Sequence, residues 1–289
     1  MTIRWIRQHI SLFWKESDWI LAVREQMGIG MEDFLEHKTT VDQTCTCQYR
    51  PPIDHQTDQH FHGCPYGKGE PTMAHTKIQG AVRGLARAAR MINRQTDITA
   101  PTSSEHRYMD IPIQDPDTGV TMHIDIRRSN SLAKSYQTTC GVAAVSGRPY
   151  MFRQATTTKA KTYAMESERL DALSSPFCVD SNGSFCPRDV NHAPSGLDPN
   201  KIINLLFKNG QTGSQRGKIP TSVEEGILRM LANRAADPER GCGAFDETLP
   251  VKLVAARFKQ EAELQIAYHA LKGSAQARLR AMRRCNESY

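Results

Sequence analysis

The chain has 289 residues, 39% hydrophobic and 24% charged with both signs interspersed, enough for one core of ordinary size and a small satellite module; the whole chain does not read as disordered. Its formal net charge of +6 leans toward polyanionic partners. No run of 18 apolar residues occurs, and Arg4, Arg7 and Lys15 interrupt the apolar N-terminal stretch, so the expectation is a soluble protein of the nucleus or cytoplasm, neither secreted nor held in a membrane.

In residues 3–31, Ile6, Ile10, Phe13, Trp14, Trp19, Ile20 and Val23 recur at helical spacing, and Gly28 and Gly30 supply the stop. This predicts an amphipathic helical lead-in over residues 1–37. The periodicity disappears from residue 38 to 72, where Thr, Asp, Gln, His, Pro and Gly dominate. A segment so poor in apolar residues needs something other than a hydrophobic core to hold it.

Cys45 and Cys47, one residue apart, are followed by His60 and then Cys64, four ligands of the types zinc selects. His62 competes for the histidine position. A bound Zn2+ would contribute the folding energy this segment lacks. The eight cysteines therefore suggest metal ligands in a reducing compartment more than a disulfide framework. Cys140, Cys178, Cys186, Cys242 and Cys285 are scattered and read as small buried hydrophobes.

Helical spacing returns over residues 74–92, with Ile78, Val82, Leu85, Ala86 and Ala89 on one face and Arg83, Arg87, Arg90 and Arg94 largely off it. Residues 108–113 and 120–126 then flank the turn sequence Asp115-Pro116-Asp117-Thr118-Gly119 and predict a β-hairpin. Residues 159–173 read as helix, residues 177–190 as a punctuated stretch containing a strand, and residues 201–208 as a further helix. After the polar loop at 211–220, helices are expected over 222–235 and 251–284, the latter with Ala255, Phe258, Ala262, Ile266 and Ala270 on one face.

The hairpin carries the chemistry of most interest. Asp110 and Asp125 can point to one face across the strand pair, because side chains alternate along each strand. Two carboxylates there repel unless a cation sits between them, as in a Mg2+ site. Glu105 is a further candidate oxygen ligand. Alternation places Ile111, Ile113, Ile124 and Ile126 on the opposite face, where they can pack on a core.

This ordered series resembles the region of non-long-terminal-repeat retrotransposons that follows the reverse transcriptase, where a CCHC zinc knuckle precedes a restriction-like endonuclease of the PD-(D/E)XK type. The stretch Asp18-Trp19 to Gly28, Lys159-Ala-Lys161-Thr-Tyr163 and Phe185-Cys-Pro187 add to the likeness. Two positions depart from the family pattern: Met109 stands where the family has proline, and Arg127 stands two residues after Asp125, where a plain D-x-K motif has lysine. The resemblance implies that the catalytic lysine comes instead from the downstream helix, as Lys161 or Lys159.

What the likeness implies is an α+β chain: a mixed restriction-endonuclease-like sheet flanked by helices over residues 73–210, behind the lead-in and knuckle, with a helical tail over 211–289. The activity implied is Mg2+-dependent nicking of target DNA, with Asp110, Asp125, Lys161, Lys159 and Glu105 at the reacting phosphate. Arg83, Arg87, Arg90, Arg107 and Arg127 would grip nucleic acid. DNA, element RNA and a reverse transcriptase supplied in cis or in trans are the partners implied, since the chain has no polymerase signature of its own. The alternative is a relative that binds nucleic acid through zinc and has lost catalysis.

Overall fold

The computed structural model describes residues 20, 70–93, 109–130, 158, 169–170, 172–181, 183, 223–239 and 249–287. Among them are helix α1 (Glu70–Ala88), strands β1 (Ile92–Asn93), β2 (Ile111–Gln114), β3 (Thr121–Ser129) and β4 (Leu173–Asp180), and helices α2 (Val223–Ala235) and α3 (Val251–Glu287). The lead-in, the cysteine-bearing segment and the expected helices at 159–173 and 201–208 fall outside the described residues, apart from isolated positions.

The strands form one mixed sheet in the order β1-β2-β3-β4, antiparallel up to β3 and parallel between β3 and β4. The architecture is therefore α+β. Parallel pairing cannot be closed by a tight turn.

The hairpin forms as its turn sequence predicts. Gly119 adopts φ 72°, a left-handed value glycine takes without steric cost. Its N–H donates to the Asp115 carbonyl at 2.8 Å, and Asp115 Oδ1 accepts the Asp117 N–H at 2.9 Å.

Alternation along the strands separates two faces. Ile111, Ile113, Met122, Ile124, Ile126, Phe177 and Val179 join one buried cluster with Ile78, Val82 and Leu85 of α1, Ile227, Leu228 and Leu231 of α2, and Phe258, Ala262, Ile266 and Ala270 of α3. The two C-terminal helices thus contribute to the same core as the sheet. Burial of a Phe, Ile or Leu side chain stabilises by roughly 1.5–3 kcal/mol, so this cluster holds the fold together.

Three devices lock the elements. Helix α3 follows Pro250, whose carbonyl accepts the N–H groups of Leu253 and Val254, and it lies so close to α1 that a Cβ on Gly273 would stand 2.7 Å from Ala74 Cβ. In the last turn of α2, Arg234 donates through Nε to the Ala89 carbonyl at 2.9 Å and through Nη1 to Asp115 at 2.7 Å and Asp117 at 2.9 Å. It ties the end of α1 to the hairpin turn. Glu224 in the first turn of α2 accepts the Cys178 N–H at 2.9 Å, so a side chain satisfies a strand donor turned away from β3.

Several boundaries differ from expectation, for physical reasons. Helix α1 starts at Glu70 rather than 74, with Pro71 in its first turn where a missing N–H costs nothing. It ends at Ala88 because Arg90 turns left-handed at φ 53°, with the Arg90 N–H on the Arg87 carbonyl and the Met91 N–H on that of Ala86, the paired bonds of a Schellman stop. Strand β4 opens at Leu173, inside the expected helix, because pairing with Met122 continues through Ser174 and Ser175 to Pro176. Strand β1, two residues long, was not anticipated.

Candidate functional site

Asp110 sits at a bend immediately before β2. The register pairs Ile111 with Ile124, so one step further it faces Asp125 on β3. Asp125 acts on the Asp110 carboxyl as a hydrogen-bonding neighbour and lowers its proton affinity. Asp125 is 3% exposed and shares its sheet face with His123, 1% exposed. The four isoleucines lie on the opposite face, in the core, as the alternation predicts.

Helix α1 supplies the surroundings of Asp110. His75 Nε2 lies 3.0 Å from Asp110 Oδ2 and 3.1 Å from the Ile126 carbonyl oxygen. A carbonyl can only accept, so Nε2 carries a proton and donates. The Ile126 N–H donates to the same Oδ2 at 2.8 Å. Gln79 Nε2 donates to the Asp110 carbonyl at 2.7 Å and reaches Oδ1 at 3.4 Å, and Arg83 Nη2 donates to that carbonyl as well.

His75, Gln79 and Arg83 are spaced by four residues and form a single ridge on α1. All three converge on one aspartate. Sequence reading assigned no role to Gln79 and placed Arg83 among the groups that grip nucleic acid. The readable signal was a polar stripe at positions i, i+4 and i+8 next to the apolar face.

The electrostatics follow from this geometry. The hydrogen bond to Asp110 raises the affinity of His75 for its proton above the ordinary imidazole value, against the opposing effect of burial; the charges of Asp110 and Asp125 add to the rise. Burial pushes the Asp110 carboxyl up, but His75, the Ile126 N–H and Asp125 together outweigh it and hold the carboxyl below the usual carboxylate range. His123 goes the other way, its imidazole pushed down by burial, and its buried Nδ1 has no hydrogen-bond partner among the described residues.

The remaining candidates divide between described and undescribed residues. Arg87 and Arg90 are exposed on and just beyond α1. Arg127, two residues after Asp125 and half-buried, donates through Nε to Ser129 Oγ at 3.3 Å. Glu105, Arg107, Lys159, Lys161 and the zinc candidates Cys45, Cys47, His60, His62 and Cys64 lie outside the described residues.

Among the described residues, no three His, Cys, Asp or Glu side chains gather as a ligand cluster. The carboxylate oxygens of Asp110 and Asp125 are nonetheless of the hard type that Mg2+ takes, and Mg2+ is commonly held by only one or two carboxylates plus the phosphate of its substrate. The donor set fits that ion. No described helix is long and apolar enough to cross a membrane.

Comparison of the chain with protein-family models and with curated proteins finds no match in either.

Proposed function

We propose that this chain is a metal-dependent DNA endonuclease of restriction-like type, carrying a zinc knuckle and nicking target DNA for a retrotransposon. The observation that supports this reading most directly is the pairing of Asp110 with Asp125 at the open end of the β2–β3 ribbon, above a fully apolar opposite face. A mixed sheet with helices packed on it agrees with the fold the resemblance implies.

In this reading Asp110 and Asp125 would hold Mg2+, and the ion would supply Lewis-acid stabilisation of charge on the scissile phosphate. Water attacks phosphorus and the bond from phosphorus to O3′ breaks, leaving a 5′-phosphate and a free 3′-hydroxyl. Lys161 or Lys159 orients the water through a compact ammonium; Arg127 is too basic to accept its proton. The 3′-hydroxyl would prime copying of element RNA by a reverse transcriptase. Cys45, Cys47, His60 and Cys64 bind structural Zn2+, and Arg87, Arg90 and Arg107 contact phosphates.

Purified protein is expected to nick supercoiled plasmid with Mg2+, and an equally folded Asp125→Ala variant is not. Equal nicking by both would discard the site. A second reading, a nucleic-acid-binding relative without catalysis, is favoured by Arg127, which stands at the lysine position and bonds to Ser129. Salt-sensitive DNA binding that survives chelation of divalent ions, with no nicking under any of them, would select that reading.

A further inference from the structure

The ridge His75, Gln79 and Arg83 spends three side chains of α1 on a single residue, and that residue lies outside the strand ladder. At the bend before β2, the Asp110 carbonyl is instead held by Gln79 and Arg83. Its carboxyl is held at Oδ2 by His75 and the Ile126 N–H. Backbone and side chain are thus both held from α1, with the Ile126 N–H of β3 as a second donor to the carboxyl.

We infer that this ridge is a positioning device: His75 and Gln79 aim the Asp110 carboxyl at Asp125, and α1 acts as the jig that sets the distance between the two acids. The inference rests on the nuclease reading for its consequence in catalysis, but the geometry it asserts can be measured without catalysis. Two short hydrogen bonds meet Oδ2, while Oδ1 takes the longer contact from Gln79 at 3.4 Å. Ala74, one residue before His75, comes so close to Gly273 of α3 that no side chain fits between them, so α3 braces the ridge from behind.

The test compares His75→Leu with His75→Gln, whose Nε2 offers an N–H at the same reach as the imidazole Nε2, and adds Gln79→Met as a variant outside the core. The Ile126 amide, which donates to Asp110, serves as the reporter in amide NMR spectra of the full chain without added divalent ion. His75→Leu and Gln79→Met are expected to shift the Ile126 resonance and speed its hydrogen exchange, and His75→Gln to restore both. In plasmid nicking, kcat should fall about 10- to 100-fold in the first two variants, with KM for DNA unchanged and His75→Gln near wild type. An Ile126 amide that is the same in wild type and His75→Leu overturns the inference. So does a loss of nicking that His75→Gln fails to restore. A wild type that never nicks overturns the nuclease reading instead, and the amide comparison then decides the positioning by itself.

Discussion

Asp110 extends the β2–β3 ladder with its side chain: just before β2 begins, its Oδ2 accepts the Ile126 N–H at 2.8 Å, the role a backbone carbonyl plays elsewhere in the sheet. The carboxylate therefore does structural and chemical work at once, and substitutions can separate the two. Asp110→Asn keeps an acceptor for Ile126 and loses the charge opposite His75; it should destabilise less than Asp110→Ala in denaturant while eliminating nicking. Asp110→Ala removes the acceptor too and should cost about 1–2 kcal/mol in addition. If Asp110→Asn nicks as well as wild type, the carboxylate charge is not used.

The His75–Asp110 pair sets a pH dependence of stability. His75 binds its proton more tightly in the fold than in the unfolded chain, so its contribution is complete below the ordinary imidazole value of about 6.5 and is lost as pH rises through the raised folded value. Asp110 is shifted down; its contribution is complete above the ordinary carboxylate range and is lost as pH falls through the lowered value. The pair therefore stabilises most between the two. Compared with His75→Gln, which does not titrate, wild type should lose stability as pH climbs above about 6.5. Parallel curves from thermal unfolding in that range would refute this.

Arg234 is 9% exposed and answers both Asp115, 23% exposed, and Asp117, 41% exposed. Because the acids are partly screened by water, most of its worth lies in the Ala89 carbonyl and Asp115 contacts. Arg234→Ala should destabilise by about 2 kcal/mol, and Arg234→Lys should recover little, since one ammonium cannot reach both α1 and the turn. Chemical denaturation of the two variants checks the order.

Two glycines in helices should respond in opposite directions to the same substitution. At Gly273 a methyl group meets Ala74 at 2.7–2.8 Å, so Gly273→Ala should cost about 1–3 kcal/mol through overpacking. At Gly84, exposed on α1 with nothing within 4 Å, alanine should add about 0.5–1 kcal/mol by raising helix propensity. Melting temperatures that move the same way in both would contradict the close approach of α1 and α3.

Much of this arrangement was legible in the residues, for reasons that also explain what was missed. The alternation of Ile111, Ile113, Ile124 and Ile126 defines a core face whatever the rest of the chain does, and with the turn at 115–119 it brings Asp110 opposite Asp125. The apolar stripe of α3 announced its packing through spacing alone. The ridge on α1 was missed because a polar stripe beside an apolar one is also what a solvated helix face looks like; only the position of Asp110 tells them apart. Strand β1 is too short to carry a period, and the start of β4 at Leu173 depends on its partner Met122 rather than on the propensities of two serines and a proline.

The 37-residue helix α3, about 55 Å long at 1.5 Å per residue, packs on α1, α2 and β4 alike. A chain shortened before Val251 would not be a trimmed version of the same molecule: it would lose the beam against which the jig for Asp110 is braced. Truncation from this end should therefore silence chemistry more than 100 residues away in the sequence while leaving every acidic ligand in place.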